Sequence, residues 1–204
     1  MLPYIIIILA LGIAASAFAF RYDSKMAAYF AKPEKREGYS AIRMTNSSYF
    51  IAFLLSGLAI MMLFLAESRE KGLLAVWVFA VGLAANFFVT YLIKFIARRK
   101  RPNGRQEFIR FTQMPDYSFP SSHASVAFAA FALVGLEYSW LKLAWLAYAI
   151  YLSFSRLYLE EHFLSDVIAG IVIGLAIGLY AYSMSQPIQL MLPSGIISSI
   201  VQLV

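Results

Sequence analysis

"LLAVWVFAVGLAANFFVTYLIKFIA", Leu73 to Ala97, decides how the chain is read. It is longer than the ~20 residues a helix needs to cross a hydrocarbon core of ~30 Å, and its one charge, Lys94, sits in the last turns. Backbone groups in hydrocarbon must pair within their own segment, which leaves helices or closed barrels. Barrel strands would alternate apolar and polar residues over ~10 positions, and this segment does not. It reads as a membrane helix. Five further apolar blocks flank it: about Leu2 to Phe20, Tyr49 to Ala66, Ser121 to Leu136, Trp140 to Tyr158 and Phe163 to Tyr182. The expectation is an all-α integral membrane bundle of six transmembrane helices, forming a single domain over residues 1–204.

Composition agrees. The chain is 61% hydrophobic and 14% charged, with a mean hydropathy of +0.71, against ~45–50% apolar and ~25% charged in soluble domains. With no cysteine, disulfides and thiolate metal sites are excluded. The net charge of +6 fits loop flanks and anionic lipid better than nucleic acid. The run "ARRKRP", Ala97 to Pro102, resembles a nuclear-import signal only out of context, since it directly follows an apolar helix. The N-terminal block lacks a charged region ahead of it and is long, so it reads as a retained helix rather than a cleaved signal.

Two connections carry most of the polar residues. In Arg21 to Ser47, Tyr22, Met26, Tyr29 and Phe30 recur at helical spacing among lysines. This predicts an amphipathic helix in the headgroup layer after the first span, ended or kinked at Pro33. Arg98 to Pro120 is basic, has a Pro-Asn-Gly turn signal, and carries Phe108, Phe111 and Met114 as interfacial contacts. The tail after Ser185, broken by Pro187 and Pro193, reads as an interfacial segment.

Polar groups at the ends of membrane spans are expensive and point to function. Three clusters qualify, all at one end of the bundle. The first is "KFIARRKRP", Lys94 to Pro102, where Lys94 and Arg101 lie seven residues, about two helical turns, apart. Arg98, Arg99 and Lys100 read as ordinary basic flanking with snorkelling stems. For Lys94 and Arg101 that reading and a functional one stand level. The second is "FPSSHAS", Phe119 to Ser125. Pro120, Ser121 and Ser122 start a helix whose free amides form an anion site, with His123 in the first turn. The alternative is a capping serine pair beside an incidental histidine. The third is "SRLYLEEHFLSD", Ser155 to Asp166. His162 and Asp166 are four residues apart and share a helical face. A carboxylate beside a histidine fixes its tautomer, as a nucleophile or base requires; a purely structural His–Asp bond is the alternative.

Three cations, a helix N-terminus and two histidines suit a phosphoryl group. One histidine attacks phosphorus and the other protonates the leaving oxygen. No carboxylate cluster suggests a divalent metal, so the chemistry is expected to be metal-independent and to need no cofactor.

In these motifs the chain resembles the type 2 phosphatidic acid phosphatase superfamily, which includes membrane lipid phosphatases and soluble vanadium haloperoxidases. Its motifs are Lys-x6-Arg-Pro, Pro-Ser-Gly-His and Ser-Arg-x5-His-x3-Asp. Here they read "KFIARRKRP", "PSSH" and "SRLYLEEHFLSD", in order and with the first and third spacings intact. The resemblance implies that His162 is a nucleophile forming a phosphohistidine, oriented by Asp166, and that His123 is the general acid and then the base for water. It implies that Lys94, Arg101, Arg156, Ser121 and the Ser122 amide hold the phosphate. The substrate would be a membrane lipid phosphate or pyrophosphate: an isoprenyl pyrophosphate, phosphatidic acid, phosphatidylglycerol phosphate or a lipid A phosphate. A protein that binds or transports phosphate headgroups without turnover is the competing reading. It leaves the His162–Asp166 pair and His123 without a purpose.

Two departures stand out. Ser122 replaces the usual glycine, and Glu160 and Glu161 precede His162 where many relatives carry small or apolar residues. These acids read either as solvated loop residues or as a headgroup-selecting feature. Orientation draws opposing signals. Of the 17 Lys and Arg residues, 14 fall on the motif side and 3 on the other, which taken alone makes the motif side cytoplasmic. The resemblance implies a bacterial cytoplasmic (inner) membrane protein with its site on the extracytoplasmic face.

Overall fold

Helices occupy all six apolar segments. The structure, a computed structural model, describes residues 2–31, 42–44, 47–105, 107–108, 115–134 and 138–191. In chain order the helices are α1 (Leu2–Phe20), α2 (Asp23–Phe30), α3 (Ser48–Leu65), α4 (Arg69–Ala97), α5 (Ser122–Leu133), α6 (Ser139–Tyr158) and α7 (Leu164–Met191). Side-chain oxygens of Ser47 and Ser68 accept from the amides of Phe50 and Lys71, capping α3 and α4. Among the described residues, α1, α4 and the Leu164–Met184 part of α7 are long and apolar enough to cross a membrane, while Tyr49–Leu65 and α5 are apolar but shorter. The chain is a helical, multi-pass membrane protein.

α7 is the hub, packed by α5, α1 and α4. Its contact with α5 is made by Gly170, Gly174 and Gly178, one face of the helix at a spacing of four. A Cβ at Gly170 or Gly174 would overlap the carbonyl oxygen of Ser121 or Ser125, and one at Gly178 would lie 2.6 Å from the Ala129 carbonyl oxygen. Opposite them α5 presents Ala124, Ser125, Ala129 and Ala132, all buried. With little hydrophobic drive between helices in lipid, such small-residue seams let backbones approach and gain dispersion contacts. A polar thread joins α4 to the same α5. Ser125 donates its single hydroxyl hydrogen to Asn86 Oδ1 at 2.7 Å and so accepts from Thr90, 3.1 Å away. The apolar core lies between α3, α4, α5 and α6, around Met62, Phe79, Leu133, Trp145 and Leu152.

Three features differ from expectation. First, of the stripe Tyr22, Met26, Tyr29 and Phe30, α2 turns Phe30 inward and leaves Tyr22 and Tyr29 exposed. It buries Asp23 and Phe30, with Phe30 and Met26 packed against Leu157 and Tyr158. The helix is turned by Asp23, which finds its partners inside the bundle. Second, the Arg98–Pro120 connection includes a two-stranded antiparallel pair, β1 (Glu107–Phe108) and β2 (Pro115–Asp116), with Glu107 opposite Asp116. Phe108 is exposed there; Phe111 and Met114 lie outside the described residues. Third, α7 runs past Pro187 to Met191 instead of ending near Ser185. Pro33 and the tail beyond Met191 also fall outside the described residues.

Candidate active site

The three sequence clusters meet at one end of the bundle. Lys94 reaches there from the last turn of α4, which closes with Arg98 in the left-handed conformation (φ 50°), its amide bonded to the Lys94 carbonyl. Arg156 comes from the last turn of α6. The chain then turns sharply. The amides of Glu161 and His162 both approach the Arg156 carbonyl, at 3.1 and 3.3 Å, and Glu160 takes φ 57°. That turn swings Glu161 and His162 into the interior. A non-glycine residue in this region costs ~1–2 kcal/mol, more than the ~0.5–1 kcal/mol of backbone entropy that glycine loses elsewhere. Glu160→Gly is therefore expected to raise the melting temperature in detergent. A lower melting temperature would mean that contacts of the Glu160 side chain outweigh the strain.

His162 is 2% exposed. Its Nδ1 lies 2.8 Å from the Ser118 carbonyl oxygen. A carbonyl can only accept, so Nδ1 carries the hydrogen and Nε2 the lone pair. Nε2 is buried and has no hydrogen-bond partner among the described residues. Burial first, and then the positive charges of Arg101, Lys94 and Arg156, hold the His162 imidazole well below the usual histidine range, with the Ser118 bond working the other way. The ring is thus neutral near pH 7 and its Nε2 lone pair is available. Asp166 lies close but is not the direct partner expected from the i, i+4 spacing. Its Oδ2 is 3.8 Å from Nδ1 and accepts instead from the Ser118 hydroxyl at 2.5 Å and the Phe163 amide at 2.9 Å. Ser118 thus stands between the two residues the sequence pairs directly.

The cations form one cluster, and carboxylates already cap it. Lys94 Nζ donates to Asp116 Oδ1 at 2.8 Å and to the Tyr117 carbonyl. Arg101 donates to Asp116 Oδ2 at 3.0 Å and to Glu161 Oε2 at 3.3 Å. Arg156 also pairs with Glu161 Oε2. Lys94, Arg101 and Arg156 are all buried, where removing one partner of an ion pair is costly. Glu161, 9% exposed, is therefore not a solvated loop acid, whereas Glu160 is half-exposed. Arg99 is no snorkelling flank either. It pairs with Asp23 and Asp166 at 2.7 and 2.6 Å.

Ser121, the residue preceding α5, donates its amide to the Asp166 carbonyl at 3.0 Å. Its buried hydroxyl has no partner among the described residues. Ser122 and His123 open α5, so the amides of that first turn point out of the helix end. His123 lies within electrostatic reach of Arg156, His162, Lys94 and Arg101. It also lines, with Ser122, a cleft of about 320 Å³ whose other walls are Ile51, Ala52 and Leu55 of α3, Phe87 and Tyr91 of α4, and Val126. The cleft sets an apolar groove between helices against a polar end that carries an imidazole.

Asp116, Ser118, Asp23 and Arg99 are the site residues that sequence reasoning missed. A carboxylate inside the basic Arg98–Pro120 connection was the one available signal for Asp116. The others have none, since their partners are 44 to 142 residues away in the chain.

The family model described as the PAP2 superfamily matches residues 75–189. The lipid A 1-phosphatase of Rhizobium etli is 30% identical over 118 residues, covering 53% of this chain and 51% of that protein. That of Rhizobium johnstonii is 32% identical over 123 residues, 53% of this chain and 48% of that protein. The lipid A 1-phosphatase of Porphyromonas gingivalis is 30% identical over 110 residues, 52% of this chain and 23% of that protein. The chain thus spans about half the length of the two rhizobial relatives and less of the third. Among solved structures, a transmembrane PAP2-type phosphatidylglycerolphosphate phosphatase from Bacillus subtilis superposes with a TM-score of 0.65 at 19% identity, over 90% of this chain and 96% of that one, a likeness of fold.

Proposed function

The chain belongs to the PAP2 superfamily, and on that premise we propose that it hydrolyses the terminal phosphate of a membrane lipid through a phosphohistidine. The observation that carries the reading is the buried, unpartnered Nε2 of His162, its tautomer fixed by Ser118, beside Lys94, Arg101 and Arg156. Nε2 attacks phosphorus while the three cations, the Ser121 hydroxyl (unpartnered among the described residues) and the first amides of α5, from Ser122 onward, stabilise the equatorial oxygens. The bond to the lipid oxygen breaks, and His123 gives that oxygen its proton. His123 then takes a proton from water. The water oxygen bonds to phosphorus, the N–P bond breaks, and inorganic phosphate leaves. The site's carboxylates Asp116, Glu161 and Asp166 are engaged by lysine and arginine, which supports metal-independent chemistry in which side-chain cations supply the positive charge.

The proposed arrangement is six spans with the substrate's tail in the bilayer, its chain entering along the α3–α4–α5 cleft toward His123. The names of the relatives favour a lipid A-type 1-phosphate or phosphatidylglycerol phosphate, with phosphatidic acid and isoprenyl pyrophosphate as further candidates. The site is assigned to the extracytoplasmic face of a bacterial cytoplasmic membrane. Lys94, Arg99, Arg101 and Arg156 are each paired with carboxylates inside the bundle; setting these four aside leaves 10 basic residues against 3, so the assignment follows the family resemblance and not the positive-inside count. The test is phosphate release in detergent across those four lipids. Release that survives EDTA, falls with vanadate and differs among the lipids supports the reading. Strict dependence on added Mg²⁺, or headgroup binding without release, contradicts it.

Glu161 has a place in this scheme. Its carboxylate bridges Arg101 and Arg156, the position an anionic oxygen of substrate would take, so it acts as an internal occupant that phosphate displaces. Glu161→Gln is expected to tighten vanadate inhibition about tenfold, a 1.4 kcal/mol change that is small beside the ~4 kcal/mol available to unit charges 4 Å apart near a surface. Weaker inhibition would mean that Glu161 instead holds the guanidiniums in place.

A further inference from the structure

The mechanism above leaves Asp166, Arg99 and Asp23 without a step, although all three are built into the site. Asp23, the first residue of α2, is 3% exposed. Its Oδ1 accepts from the Ser165 amide at 2.9 Å. Its Oδ2 accepts from the Ser165 hydroxyl at 2.5 Å and from Arg99 Nη2 at 2.7 Å. Arg99 Nη1 donates in turn to Ser165 Oγ at 2.7 Å and to Asp166 Oδ1 at 2.6 Å. The guanidinium lies over the rings of Phe163 and Phe20, 4.1 and 5.1 Å from their centroids. One cation is therefore shared by two carboxylates. The second of these holds Ser118, whose carbonyl holds His162 Nδ1. Shared buried charges of this kind are costly unless every member is satisfied; here two carboxylates share one guanidinium, and hydroxyls and amides of Ser118, Phe163 and Ser165 complete their hydrogen bonds.

We propose that Asp23 and Arg99 are positioning residues that set how strongly the Asp166 charge acts on His162. Asp23 draws Arg99 away from Asp166, and Arg99 in turn moderates Asp166. Asp166 and Ser118 then fix the tautomer and basicity of the imidazole. Through this chain the interfacial helix α2 is wired to the reacting nitrogen. The inference rests on His162 being the nucleophile.

The other charges around His162 form a constant background. Lys94 and Arg101 face it from the end of α4 and the segment after it, Arg156 from α6, and His123 from α5. Asp166 faces it from α7, and Glu161 is its neighbour in the turn. Asp116 of β2 acts behind Lys94 and Arg101. The cations, with burial, keep His162 neutral near pH 7, so kcat/KM for the free enzyme falls only at a pH below the usual histidine range. Arg99→Gln leaves Asp166 uncompensated near the ring. That stabilises the imidazolium and moves this acid limb to higher pH. Asp23→Asn gives Arg99 wholly to Asp166, weakens the negative potential at the ring, and moves the limb to lower pH.

The experiment is kcat/KM against pH for full-length protein in detergent micelles containing a lipid phosphate that the wild type hydrolyses. Opposite shifts are expected, each on the order of 1 pH unit, as unit charges about 12 Å apart at an effective dielectric near 20 would give. The KM should change less than kcat, because neither residue belongs to the phosphate-holding cluster, and Arg99→Lys should return the limb toward wild type. A merely structural role would lower the rate at every pH and move neither limb. That result, or shifts of the same sign, overturns the proposal. If Arg99→Gln does not fold, Asp23→Asn and Arg99→Lys still carry the test: a downward shift in the first with a wild-type limb in the second supports it, and an unmoved limb in the first overturns it. Failure of the underlying reading has a separate mark, namely turnover that persists in His162→Ala.

Discussion

His162→Ala is expected to abolish phosphate release, with kcat falling on the order of 10⁴-fold or more, the scale on which loss of a covalent nucleophile acts. The size follows from what the side chain alone supplies. Among the residues at this end of the bundle, the lone pair held ready by geometry belongs to Nε2 of His162, with the hydrogen on Nδ1 committed to Ser118. The neighbouring cations and amides remain in the variant, so lipid phosphate should still bind, and KM should change far less than kcat. Stability should fall only modestly. The lost imidazole leaves the Ser118 carbonyl without its donor, at a cost of ~1–3 kcal/mol for an unsatisfied buried acceptor, but it also removes a group that resists charging among three cations. A folded variant that binds vanadate yet does not turn over is the expected pattern. Turnover within about 100-fold of wild type would place the nucleophile elsewhere.

The second large effect is expected far from any reacting atom. Gly174→Val should lower both the melting temperature and kcat, the latter by roughly 100-fold, the scale associated with a ~1 Å misplacement of catalytic groups. A Cβ at Gly174 overlaps the Ser125 carbonyl oxygen and would lie 2.9 Å from the Ala129 amide nitrogen. Backbone cannot yield as a flexible side chain does, so α5 and α7 must separate. Overpacking of this kind costs ~1–3 kcal/mol or more. The separation also stretches the polar thread from Ser125 to Asn86 and Thr90. More important, α5 carries His123 and α7 follows directly on His162, so their seam sets the distance between the two imidazoles. Gly57→Ala on α3 is the matched control, because a Cβ there meets nothing within 4 Å and should leave activity and stability near wild type.

These two residues also mark what the sequence does and does not disclose. The helices were legible because a bilayer leaves few alternatives: apolar runs of the right length appear where a 3.6-residue helix must satisfy its own backbone. Lys94, Arg101, Arg156 and His162 were legible because charge is expensive in and beside such segments, although Arg101 and His162 lie just outside the helices, beyond Ala97 and before Leu164. The Gly170, Gly174 and Gly178 seam was present at an interval of four but was not singled out, since what it packs against is decided by the partner helix. Asp23 shows the limit most clearly. In sequence it is one acid in a basic amphipathic stretch; in the fold it lies beneath α2, bound to Ser165, 142 residues away. For Glu161 the sequence leaves a solvated loop acid and a headgroup-selecting residue both open, because the turn at Glu160 that directs it inward depends on a left-handed backbone conformation that glutamate seldom adopts. Ser118 acts on His162 through its carbonyl oxygen, a group every residue possesses and no motif can reveal.

The central claim is that phosphate passes through Nε2 of His162. Its most direct test is rapid quenching of wild-type protein during turnover of a ³²P-labelled lipid phosphate, followed by peptide mapping of the bound label. The account predicts a phosphoryl group that is labile in acid and stable in alkali, carried on the peptide containing His162 and missing from His162→Ala. An alkali-labile label on a carboxylate peptide, or brisk turnover with no label at His162 at any quench time, would contradict it.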